Sequence, residues 1–233
     1  MSLYWLGTDS GVDFPPVNSA LDEPNGLLAA GGDLSEARLL AAYQRGIFPW
    51  YSPGQPILWW CPNPRMVLAP SEFHASRSLR RALRRDPVTV TTNQCFRAVI
   101  DNCAAPRSHE NGTWITTEMR AAYCQLHDNG WAHSIEVWRD STLIGGVYGV
   151  AIGRAFFGES MFSAATNGSK FALMALCRQL TQDQFLLLDC QMHTGHLQSL
   201  GANLVARDQF LTLLETACGV LKRWNPPPHL SCD

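Results

Sequence analysis

Residues 132–161 read AHSIEVWRDSTLIGGVYGVAIGRAFFGESM and contain three strand-like runs in close succession. The runs cover Ala132–Trp138, Leu143–Ile152 and Arg154–Met161, and each is rich in β-branched, aromatic and other apolar residues. Residues 139–142 (RDST) and a Gly-Arg pair supply the turns between them. Because short turns of this kind join antiparallel neighbours, the pattern predicts an antiparallel three-stranded meander.

The segments after the meander extend it into a larger sheet. Ser169–Leu180 is predicted as a helix and Phe185–Cys190 (FLLLDC) as a strand. The strand is apolar on both faces, which is typical of the interior of a sheet. A last helix is predicted over Asp208–Ala217. This order of elements resembles the acetyltransferase (GNAT) fold, and the resemblance implies an α+β protein with a mixed sheet.

The acetyltransferase fold usually holds the pyrophosphate of coenzyme A with an Arg/Gln-x-x-Gly-x-Gly loop at the start of its central helix. The corresponding residues 162–170 read FSAATNGSK and contain no such loop. Since the glycine-rich helix start is what binds the pyrophosphate, its absence argues against a coenzyme-A-dependent N-acetyltransferase. Peptidoglycan-bridge aminoacyltransferases have a similar core and use aminoacyl-tRNA, so the resemblance allows that carrier instead.

Proline and tryptophan are concentrated in residues 46–65, GIFPWYSPGQPILWWCPNPR. This segment holds Trp50, Trp59 and Trp60, three of the eight tryptophans, and five of the fourteen prolines. The prolines argue against a helix or a central strand and fix the backbone. Rigid indoles outside regular structure form either a shelf for a flat ligand such as a nucleobase or a packed domain joint.

A helix is predicted before this segment, over Ser35–Arg45, with Asp33 and Glu36 at capping-box spacing and Gly46 as its stop. We therefore expect a small amino-terminal α/β domain over residues 1–62 and an acetyltransferase-like domain over residues 63–233. The other elements expected in the second domain are a helix over Ser76–Asp86, a strand over Val88–Thr92, a helix over Gln94–Cys103, a helix from Thr116 or Thr117 to Asn129-Gly130, and a frayed tail at 225–229.

The composition is that of an ordinary globular protein. The 233 residues are 46% hydrophobic and 16% charged, with a formal net charge of −2. No apolar run reaches the roughly 18 residues of a membrane span, and the amino terminus lacks the basic and apolar regions of a secretory signal. The eight cysteines include no Cys-x-x-Cys pair and are expected to be reduced thiols. These observations predict a cytoplasmic protein.

Five arginines lie within nine residues of the predicted helix 76–86, at Arg77, Arg80, Arg81, Arg84 and Arg85. At about 100° per residue they cover roughly 140° of the helix surface, and Leu79 and Leu83 lie opposite. No acid stands on this face to form i,i+4 pairs. The pattern predicts binding of a polyanion, and the alternative is a solvated surface helix.

Polar side chains also occur at positions where apolar ones are expected. Glu159 is predicted to point the same way as Phe157 and Met161, so that either a cationic ligand group or an internal arginine has to satisfy its carboxylate. Asp189 and Gln191 lie two apart near the carboxyl end of the predicted interior strand, where ligands of α/β sheets gather. On position alone, a buried ion pair at Glu159 and a capping carboxylate at Asp189 remain open.

Six sequence blocks occur in one order within residues 23–208. They are EPNGLLAAGGDLS at 23–35, AYQRGIFPW at 42–50, GTWIT at 112–116, HSIEVW at 133–138, GESMFS at 158–163 and LDCQ at 188–191. Together these blocks resemble the bacterial leucyl/phenylalanyl-tRNA–protein transferase family. The resemblance covers most of the chain, and the combination is far more specific than any one block.

This resemblance implies a reaction and roles for three residues. Leucine or phenylalanine, and also methionine, would move from aminoacyl-tRNA to the α-amine of proteins that begin with Arg or Lys, which marks those proteins for N-end rule proteolysis. Glu159 would belong to the site that receives the aminoacyl group. Asp189 would polarise Gln191 as the acceptor amine attacks, or it would hold the basic side chain of the acceptor.

Two further sets of residues are expected to bind the aminoacyl-tRNA. Trp50 and Trp114 would flank its terminal adenosine, one or both by stacking. Val147, Leu173 and Leu176 would form, with Glu159, the pocket for the amino-acid side chain. We expect that pocket to reject Val and Ile, because branching at Cβ widens the group next to the ester.

No cofactor is expected, because the ester of aminoacyl-tRNA is already activated. No metal is expected either, because no cysteine or carboxylate set completes the loose metal spacing of His193 and His196. The protein is expected to be a monomer. A tRNA-binding module without catalysis is the alternative from another class of protein, and it would leave Glu159, Asp189 and Gln191 without a role. The sequence leaves open the preference among Leu, Phe and Met, the physiological targets, and the choice between the two roles of Asp189.

Overall fold

The computed structural model describes residues 3–8, 11–105 and 115–231. These residues form a sheet of four short strands, which ends at Trp60, and a sheet of eight strands, which begins at Arg65. The larger sheet contains both parallel and antiparallel pairs, so the predicted mixed sheet is confirmed. No helix within the described ranges is long and apolar enough to cross a membrane.

The smaller sheet and one helix are built from the first sixty residues. The strands are β1 (Tyr4–Leu6), β2 (Leu27–Gly31), β3 (Phe48–Pro49) and β4 (Leu58–Trp60), in the order β1-β2-β4-β3. Helix α1 (Glu36–Tyr43) lies where it was predicted, but its cap is Ser35 and not Asp33. Ser35 directly precedes the first turn and accepts a hydrogen bond from the Arg38 backbone N–H at 3.4 Å. Asp33 lies two residues earlier and pairs with the Arg38 guanidinium at 3.2 Å.

The structure corrects the expectation that the prolines exclude a central strand from residues 46–65. Trp59 and Trp60 lie in β4, which is paired on one side with β2 and on the other with β3. The three residues of β4 lie between Pro56 and Pro62, so each keeps its backbone N–H for the sheet. Pro49 lies in β3 at the edge of the sheet, where a missing donor is tolerated.

The larger sheet has the order β11-β5-β10-β9-β8-β7-β6-β12. Its strands are β5 (Arg65–Leu68), β6 (Thr89–Thr92), β7 (Ala132–Arg139), β8 (Thr142–Ile152), β9 (Ala155–Ser163), β10 (Leu187–Gln191), β11 (Asn203–Val205) and β12 (His229–Leu230). Strands β7, β8 and β9 form the predicted antiparallel meander. Strand β10 is parallel to β9 and is flanked on its other side by β5, which confirms the prediction of an interior strand.

The remaining helices lie close to their predicted positions, except for a short helix at Gly195–Ser199, which was not predicted. They are α2 (Arg77–Arg85), α3 (Phe96–Ala104), α4 (Thr117–Asp128), α5 (Gly168–Gln182), the short α6 (Gly195–Ser199) and α7 (Arg207–Cys218). The tail that was expected to be frayed is docked instead. His229 and Leu230 pair with β6, and Trp224 is buried against the rings of Phe156 and Phe185. A buried indole and a strand partner together offset the chain entropy that would otherwise favour a loose end.

Two hydrophobic clusters cover the two faces of the larger sheet. The first joins β8 and β9 to α1, α3, α4, α7 and the smaller sheet, so both sheets share one core. The second lies under α2 and α5 and includes Trp224. Helix α5 begins directly against β8, because a Cβ on Gly145 would lie 2.3 Å from the backbone of Gly168. Only glycine at Gly145 permits that approach.

Candidate active site

A β-bulge places Glu159 on the first cluster. In the pairing of β8 with β9, Tyr148 opposes Ser160 and Gly149 opposes Gly158, so Glu159 has no partner on β8. A Cβ on Gly149 would lie 2.2 Å from the carbonyl oxygen of Phe157, so this backbone arrangement requires glycine. Bulges re-aim the side chains that follow them.

The bulge also reverses the side-chain alternation in β9. Glu159 contacts residues of the first cluster, whereas Met161, predicted to share its face, packs against the second cluster. The prediction of one face for Phe157, Glu159 and Met161 is therefore wrong for Met161. The inserted residue is the physical reason, since it shifts the period of two by one residue.

Hydroxyl and amide groups satisfy the Glu159 carboxyl. Its Oε1 accepts hydrogen bonds from the Tyr43 hydroxyl at 2.7 Å and from Gln191 Nε2 at 2.9 Å, and its Oε2 accepts one from the Tyr123 hydroxyl at 2.8 Å. The hydroxyls of Tyr43 and Tyr123 also hydrogen-bond to each other. Neither the ligand cation nor the internal arginine considered from the sequence is needed to satisfy this carboxyl.

Burial changes the acidity of this group. The side chain of Glu159 is 8% exposed, and burial raises its pKa to about 7, with the nearby charge of Asp189 acting in the same direction. The hydrogen bonds from Tyr43 and Tyr123 act against that rise. Burial, together with the charge of Glu159, raises the pKa of both tyrosines well above the usual value for a phenol. A carboxyl that titrates near neutrality is typical of a site where protons are handled.

Asp189, unlike Glu159, is paired with a buried cation. Arg65 Nε and Nη2 donate to Asp189 Oδ1 and Oδ2 at 2.8 and 2.7 Å, and both side chains are 0% exposed. The guanidinium carbon of Arg65 lies 4.7 Å from the ring centres of both Phe48 and Phe210. Burial alone lowers the pKa of Arg65, but the Asp189 carboxylate outweighs it, and the net pKa is raised. Arg65 and Asp189 therefore form a fixed ion pair in the interior.

Gln191 is held by both carboxyl groups. The pairing of β10 with β5 skips Cys190, and Gln191 has a φ of 61°, a conformation that costs a non-glycine residue free energy. The Gln191 backbone N–H donates to Asp189 Oδ1 at 2.9 Å, which stabilises that conformation. Its side-chain amide donates to Glu159 at 2.9 Å. Asp189 thus reaches Gln191 through the backbone N–H, whereas the resemblance had suggested that it polarises the carboxamide.

These contacts join six residues from five elements, which we call the polar centre: Tyr43, Arg65, Tyr123, Glu159, Asp189 and Gln191. Three of them were not singled out from the sequence. Tyr43 lies in the AYQRGIFPW block, Tyr123 lies within the helix predicted from Thr116 or Thr117, and Arg65 ends the proline-rich segment. Local patterns do not reveal that these side chains meet, because their contacts span 36 to 124 residues of sequence.

The structure does not place the residues predicted for the side-chain pocket around Glu159. Val147, Leu173 and Leu176 are buried in the second cluster, and Val147 is the β8 partner of Met161. Glu159 contacts the first cluster on the other face. The three apolar residues and Glu159 therefore lie on opposite faces of the larger sheet.

Trp50 is the exposed indole of the proline-rich segment. It is 42% exposed and lies edge-to-face with Trp60, whose Nε1 donates to the Trp50 carbonyl oxygen at 2.7 Å. Trp59 is fully buried, and its Nε1 donates to the Gly31 carbonyl at 2.9 Å. Trp114, the second residue predicted at the terminal adenosine, lies outside the described residues.

A cavity of about 750 Å³ lies between the residues that follow Trp50 and the start of α4. It is lined by Leu34, Tyr51, residues 53–57 and residues 115–118. Its walls include none of the six residues of the polar centre. The cavity and the polar centre are therefore separate features of this side of the molecule.

The arginines of α2 are exposed as predicted. Arg77, Arg80, Arg81, Arg84 and Arg85, which we call the arginine face, form no ion pair with any described acid. The acid at the end of the helix, Asp86, is paired with Arg139. Leu79 and Leu83 are buried on the opposite side and anchor the helix to the second cluster.

Taken together, these features define a mixed α/β protein with a buried acid–amide–tyrosine centre and a separate cationic helix. Family models identify it further. The model for the leucyl/phenylalanyl-tRNA protein transferase matches residues 67–215, and the model for the N-terminal domain of the same transferase matches residues 32–63. The chain belongs to the leucyl/phenylalanyl-tRNA protein transferase family.

Curated relatives carry the same description over nearly their full length. The leucyl/phenylalanyl-tRNA–protein transferase of Pseudomonas aeruginosa is 57% identical over 213 residues, which is 91% of this chain and 94% of the relative. That of Pseudomonas entomophila is 58% identical over 208 residues, 89% and 92% of the two chains. That of Cellvibrio japonicus is 55% identical over 210 residues, 90% and 89% of the two chains.

Solved structures give a weaker likeness. L-PGS from Bacillus licheniformis aligns with a TM-score of 0.40 at 9% identity, over 72% of this chain and 53% of the other. The C-terminal domain described as a lysylphosphatidylglycerol synthetase from Agrobacterium fabrum aligns with a TM-score of 0.40 at 12% identity, over 81% and 58%. We draw no conclusion about fold or function from this likeness.

Proposed function

We propose that this chain is an aminoacyltransferase that moves leucine, phenylalanine or methionine from aminoacyl-tRNA to the α-amine of proteins that begin with Arg or Lys. The observation that carries the proposal is the family match across both parts of the chain. A curated transferase is 57% identical to this chain over 91% of the chain's residues. The product would enter N-end rule proteolysis. The reaction would take place in the cytoplasm, where aminoacyl-tRNA is made, and we propose a monomer.

The chemistry asks little of the enzyme. An ester becomes an amide, so the activated carrier supplies the driving force, and no ATP or other cofactor is required. An α-amine has an ordinary pKa near 7.7–8.0, so a useful neutral fraction exists at neutral pH. The enzyme has to position the amine, accept a hydrogen bond from it as it attacks, and stabilise the oxyanion.

Gln191 is the residue best placed to contact the attacking amine. Its amide nitrogen is tied to Glu159 at 2.9 Å, so its carboxamide oxygen points away from that carboxyl. No described residue donates a hydrogen bond to that oxygen. We propose that it accepts a hydrogen bond from the acceptor amine. Asp189 and Glu159 act through Gln191, the first by holding its backbone and the second by holding its side chain.

The proposed tRNA contacts lie outside the polar centre. The arginine face has five exposed guanidinium groups that form no ion pair with the acids of the described residues, which suits the phosphates of an acceptor arm. Trp50 offers an exposed indole for the terminal adenosine, with Trp114 proposed as its companion. Trp50 lies between Phe48, which packs on Arg65, and Tyr51, which contacts Thr116 at the start of α4.

The side-chain pocket and the domain division stay proposals of the same kind. Val147, Leu173 and Leu176 would form the apolar wall, provided that the bound aminoacyl group reaches the second cluster beside Met161. A shape filter of this type rejects valine or isoleucine by about 10–200-fold. We also propose domains over residues 1–62 and 63–233, the second acetyltransferase-like, although the first cluster of core residues extends over both.

A transfer assay tests the function directly. The protein is incubated with tRNA charged with labelled leucine and with a peptide that begins with arginine. We expect label on the peptide, and none on a matched peptide whose α-amine is acetylated. Label that stays on the tRNA while the tRNA remains bound would instead support a binding module. Transfer of acetyl from acetyl-coenzyme A, without transfer of leucine, would support an N-acetyltransferase.

A further inference from the structure

Three oxygen-bearing side chains meet in a closed triangle inside the polar centre. Tyr43 contacts Glu159 Oε1 at 2.7 Å, Tyr123 contacts Glu159 Oε2 at 2.8 Å, and the two hydroxyls hydrogen-bond to each other. They come from α1, α4 and β9, which hold them in place within the first cluster. Each side of the triangle is a contact between two oxygens, and a hydrogen bond needs one proton on each side.

The number of protons depends on the state of the carboxyl. With an ionised Glu159, the two phenols supply two protons for three contacts, so one pair of oxygens faces without a proton and repels. With a protonated Glu159 there are three protons for three contacts. Oε2–H then donates to Tyr123, Tyr123 donates to Tyr43, and Tyr43 donates to Oε1. This ring reverses the direction of the Tyr123–Glu159 bond but leaves the oxygen–oxygen distances unchanged.

We propose that Glu159 is a neutral carboxylic acid in the working enzyme, and that it closes a ring of hydrogen bonds with Tyr43 and Tyr123 that fixes the carboxamide of Gln191. Oε1 is the oxygen without the proton, and it accepts from both Tyr43 and Gln191 Nε2. The ring thus decides which end of the carboxamide faces the carboxyl. Tyr43 and Tyr123 become positioning residues for Gln191.

The charges around the ring support the neutral form. The guanidinium of Arg65 attracts an ionised Glu159, but the nitrogens with which it makes hydrogen bonds are both taken by Asp189. The Asp189 carboxylate opposes a second negative charge, and the phenol of Tyr148 on β8 is neutral and makes no hydrogen bond to the ring. A buried carboxylate without a cation is costly, and burial accordingly raises the pKa of Glu159 to about 7.

The protonation state can be measured without any substrate. Infrared difference spectra of the full chain are recorded against Glu159→Gln, from about two pH units below to two above the titration midpoint near 7. We expect the carbonyl band of a protonated carboxylic acid below the midpoint and its loss above. Absence of the band throughout this range would overturn the proposal, whatever the enzyme transfers.

The effect on catalysis rests on the proposed function and is read as a ratio. Turnover of the unchanged protein is divided by that of Glu159→Gln at each pH, which cancels the titration of the acceptor amine. If the neutral acid is the working form, the ratio is flat below the midpoint and falls up to about tenfold per pH unit above it. If the ionised carboxylate works, the ratio rises to the midpoint and is then flat, and the proposal fails.

Opening the ring tests the roles of the two tyrosines. Tyr43→Phe and Tyr123→Phe each remove one member and with it two of the three hydrogen bonds of the neutral ring. If the ring holds Glu159 neutral, the midpoint of the pH profile should move to lower pH and turnover should fall. A midpoint moved to higher pH would show that the phenols act only as donors to an ionised carboxylate, and it would overturn the ring. Tyr148→Phe is the matched control, because its buried hydroxyl has no hydrogen-bond partner in the described structure. It should leave both the profile and the turnover unchanged. An unmoved break in both ring variants would show that the ring does not set the state of Glu159.

Discussion

The polar centre and the arginine face solve the same problem, that of placing charged side chains, in opposite ways. Arg65 is fully buried, and its charge is met by Asp189 at 2.7 Å and by two aromatic rings. The five arginines of α2 are exposed and have no described partner. An interior charge costs several kcal/mol unless it is paired, whereas an exposed one costs little. Pairing fixes the positions of the side chains in the polar centre, as a catalytic site requires. The unpaired arginines of the arginine face keep their charge available for a ligand.

The two carboxyl groups of the polar centre repeat this contrast on a smaller scale. Asp189 is bound by a guanidinium, and Glu159 by two phenols and an amide. By placing two carboxyl groups in different environments, an enzyme can give similar groups different roles. Here both groups converge on Gln191, from the backbone side and from the side-chain side.

The largest expected effect comes from removing the residue that both carboxyl groups hold. Gln191→Ala should lower turnover by about 10²–10⁴, the usual range for a positioned proton-transfer group. The KM for aminoacyl-tRNA should stay nearly constant, because we propose that this binding comes from the arginine face and Trp50. Single-turnover transfer with saturating tRNA measures the chemical step. A rise in KM with unchanged turnover would move Gln191 from the chemical step to substrate binding.

Asp189→Asn should have the next largest effect, on stability. The change leaves Arg65 buried beside a neutral amide, and breaking a buried pair in this way costs about 3–5 kcal/mol. Urea unfolding monitored by tryptophan fluorescence gives the free energy of unfolding. Turnover of this variant should be compared only under conditions where it is folded.

A matched change at Glu159 sharpens the contrast between the two acids. Glu159→Gln removes another buried carboxyl, one that is not paired with a cation, so its cost in unfolding free energy should be much smaller. Equal losses in the two variants would show that Arg65 contributes no more to Asp189 than the tyrosines contribute to Glu159.

The sequence reveals the parts of this molecule that follow local rules. The meander, α5 and the interior strand β10 were predicted because periods of two and 3.6 and the turn residues are encoded within a few positions. Helix α2 was predicted together with its exposed face, since its cap, Ser76, and its buried Leu79 and Leu83 are also local signals. Glu159, Asp189 and Gln191 stood out because polar residues interrupted apolar runs.

The rest of the site depends on distant contacts. Tyr43 meets Glu159 across 116 residues, and Arg65 meets Asp189 across 124. From the sequence, a tyrosine among the apolar residues of a helix is interpreted as part of the core. A single arginine after a proline-rich segment belongs to no periodic pattern. The bulge at Glu159 was not visible either, because it arises from the pairing of two strands. The one local sign of the bulge is Gly149. The reason why this position requires glycine is seen only in the folded structure, where Phe157 lies against it.

The pH dependence of stability reports on the burial of Glu159. The folded-state pKa of Glu159 is about 7, above its ordinary value of 4.5, so the unfolded chain loses its proton first as the pH rises. Stability from this group is therefore complete below about pH 4.5 and is lost by about pH 7, a change on the order of 3 kcal/mol. Unfolding free energies of the unchanged protein minus those of Glu159→Gln should show this fall.

The subtraction also removes the contribution of other groups. Burial lowers the pKa of His133 to about 4, which gives a slope of opposite sign that is the same in both proteins. A difference between the two proteins that stays constant from acid to neutral pH would mean that Glu159 is not perturbed by its burial.

The tryptophans extend the contrast between buried and exposed side chains. Trp50→Ala should raise the concentration of an aminoacyl-adenosine fragment needed for half-saturation by about one to two decades, since a stacked base contributes about 1–3 kcal/mol. Trp5, 66% exposed on β1, is a matched control that should have no effect on replacement by alanine. Equal effects of the two changes would place the adenosine elsewhere.

The smallest expected effect concerns the arginine face, and it should appear in salt dependence with no change in folding. Arg80→Ala with Arg84→Ala removes two exposed guanidiniums, while Leu79 and Leu83 still anchor α2. The slope of log affinity for tRNA against log salt should become shallower by about two, or about one for each phosphate that is no longer neutralised. Filter binding over a range of salt concentrations measures this slope.

A control double variant removes the same amount of charge elsewhere on the surface. Arg97→Ala with Arg120→Ala breaks the surface ion pairs with Asp128 and Asp101, and it should leave the slope nearly unchanged. If the two double variants flatten the slope equally, net charge and not the arginine face sets the affinity for tRNA. If neither variant flattens it, the phosphates bind to another surface, and the contrast between a paired interior and an unpaired helix has no bearing on tRNA binding.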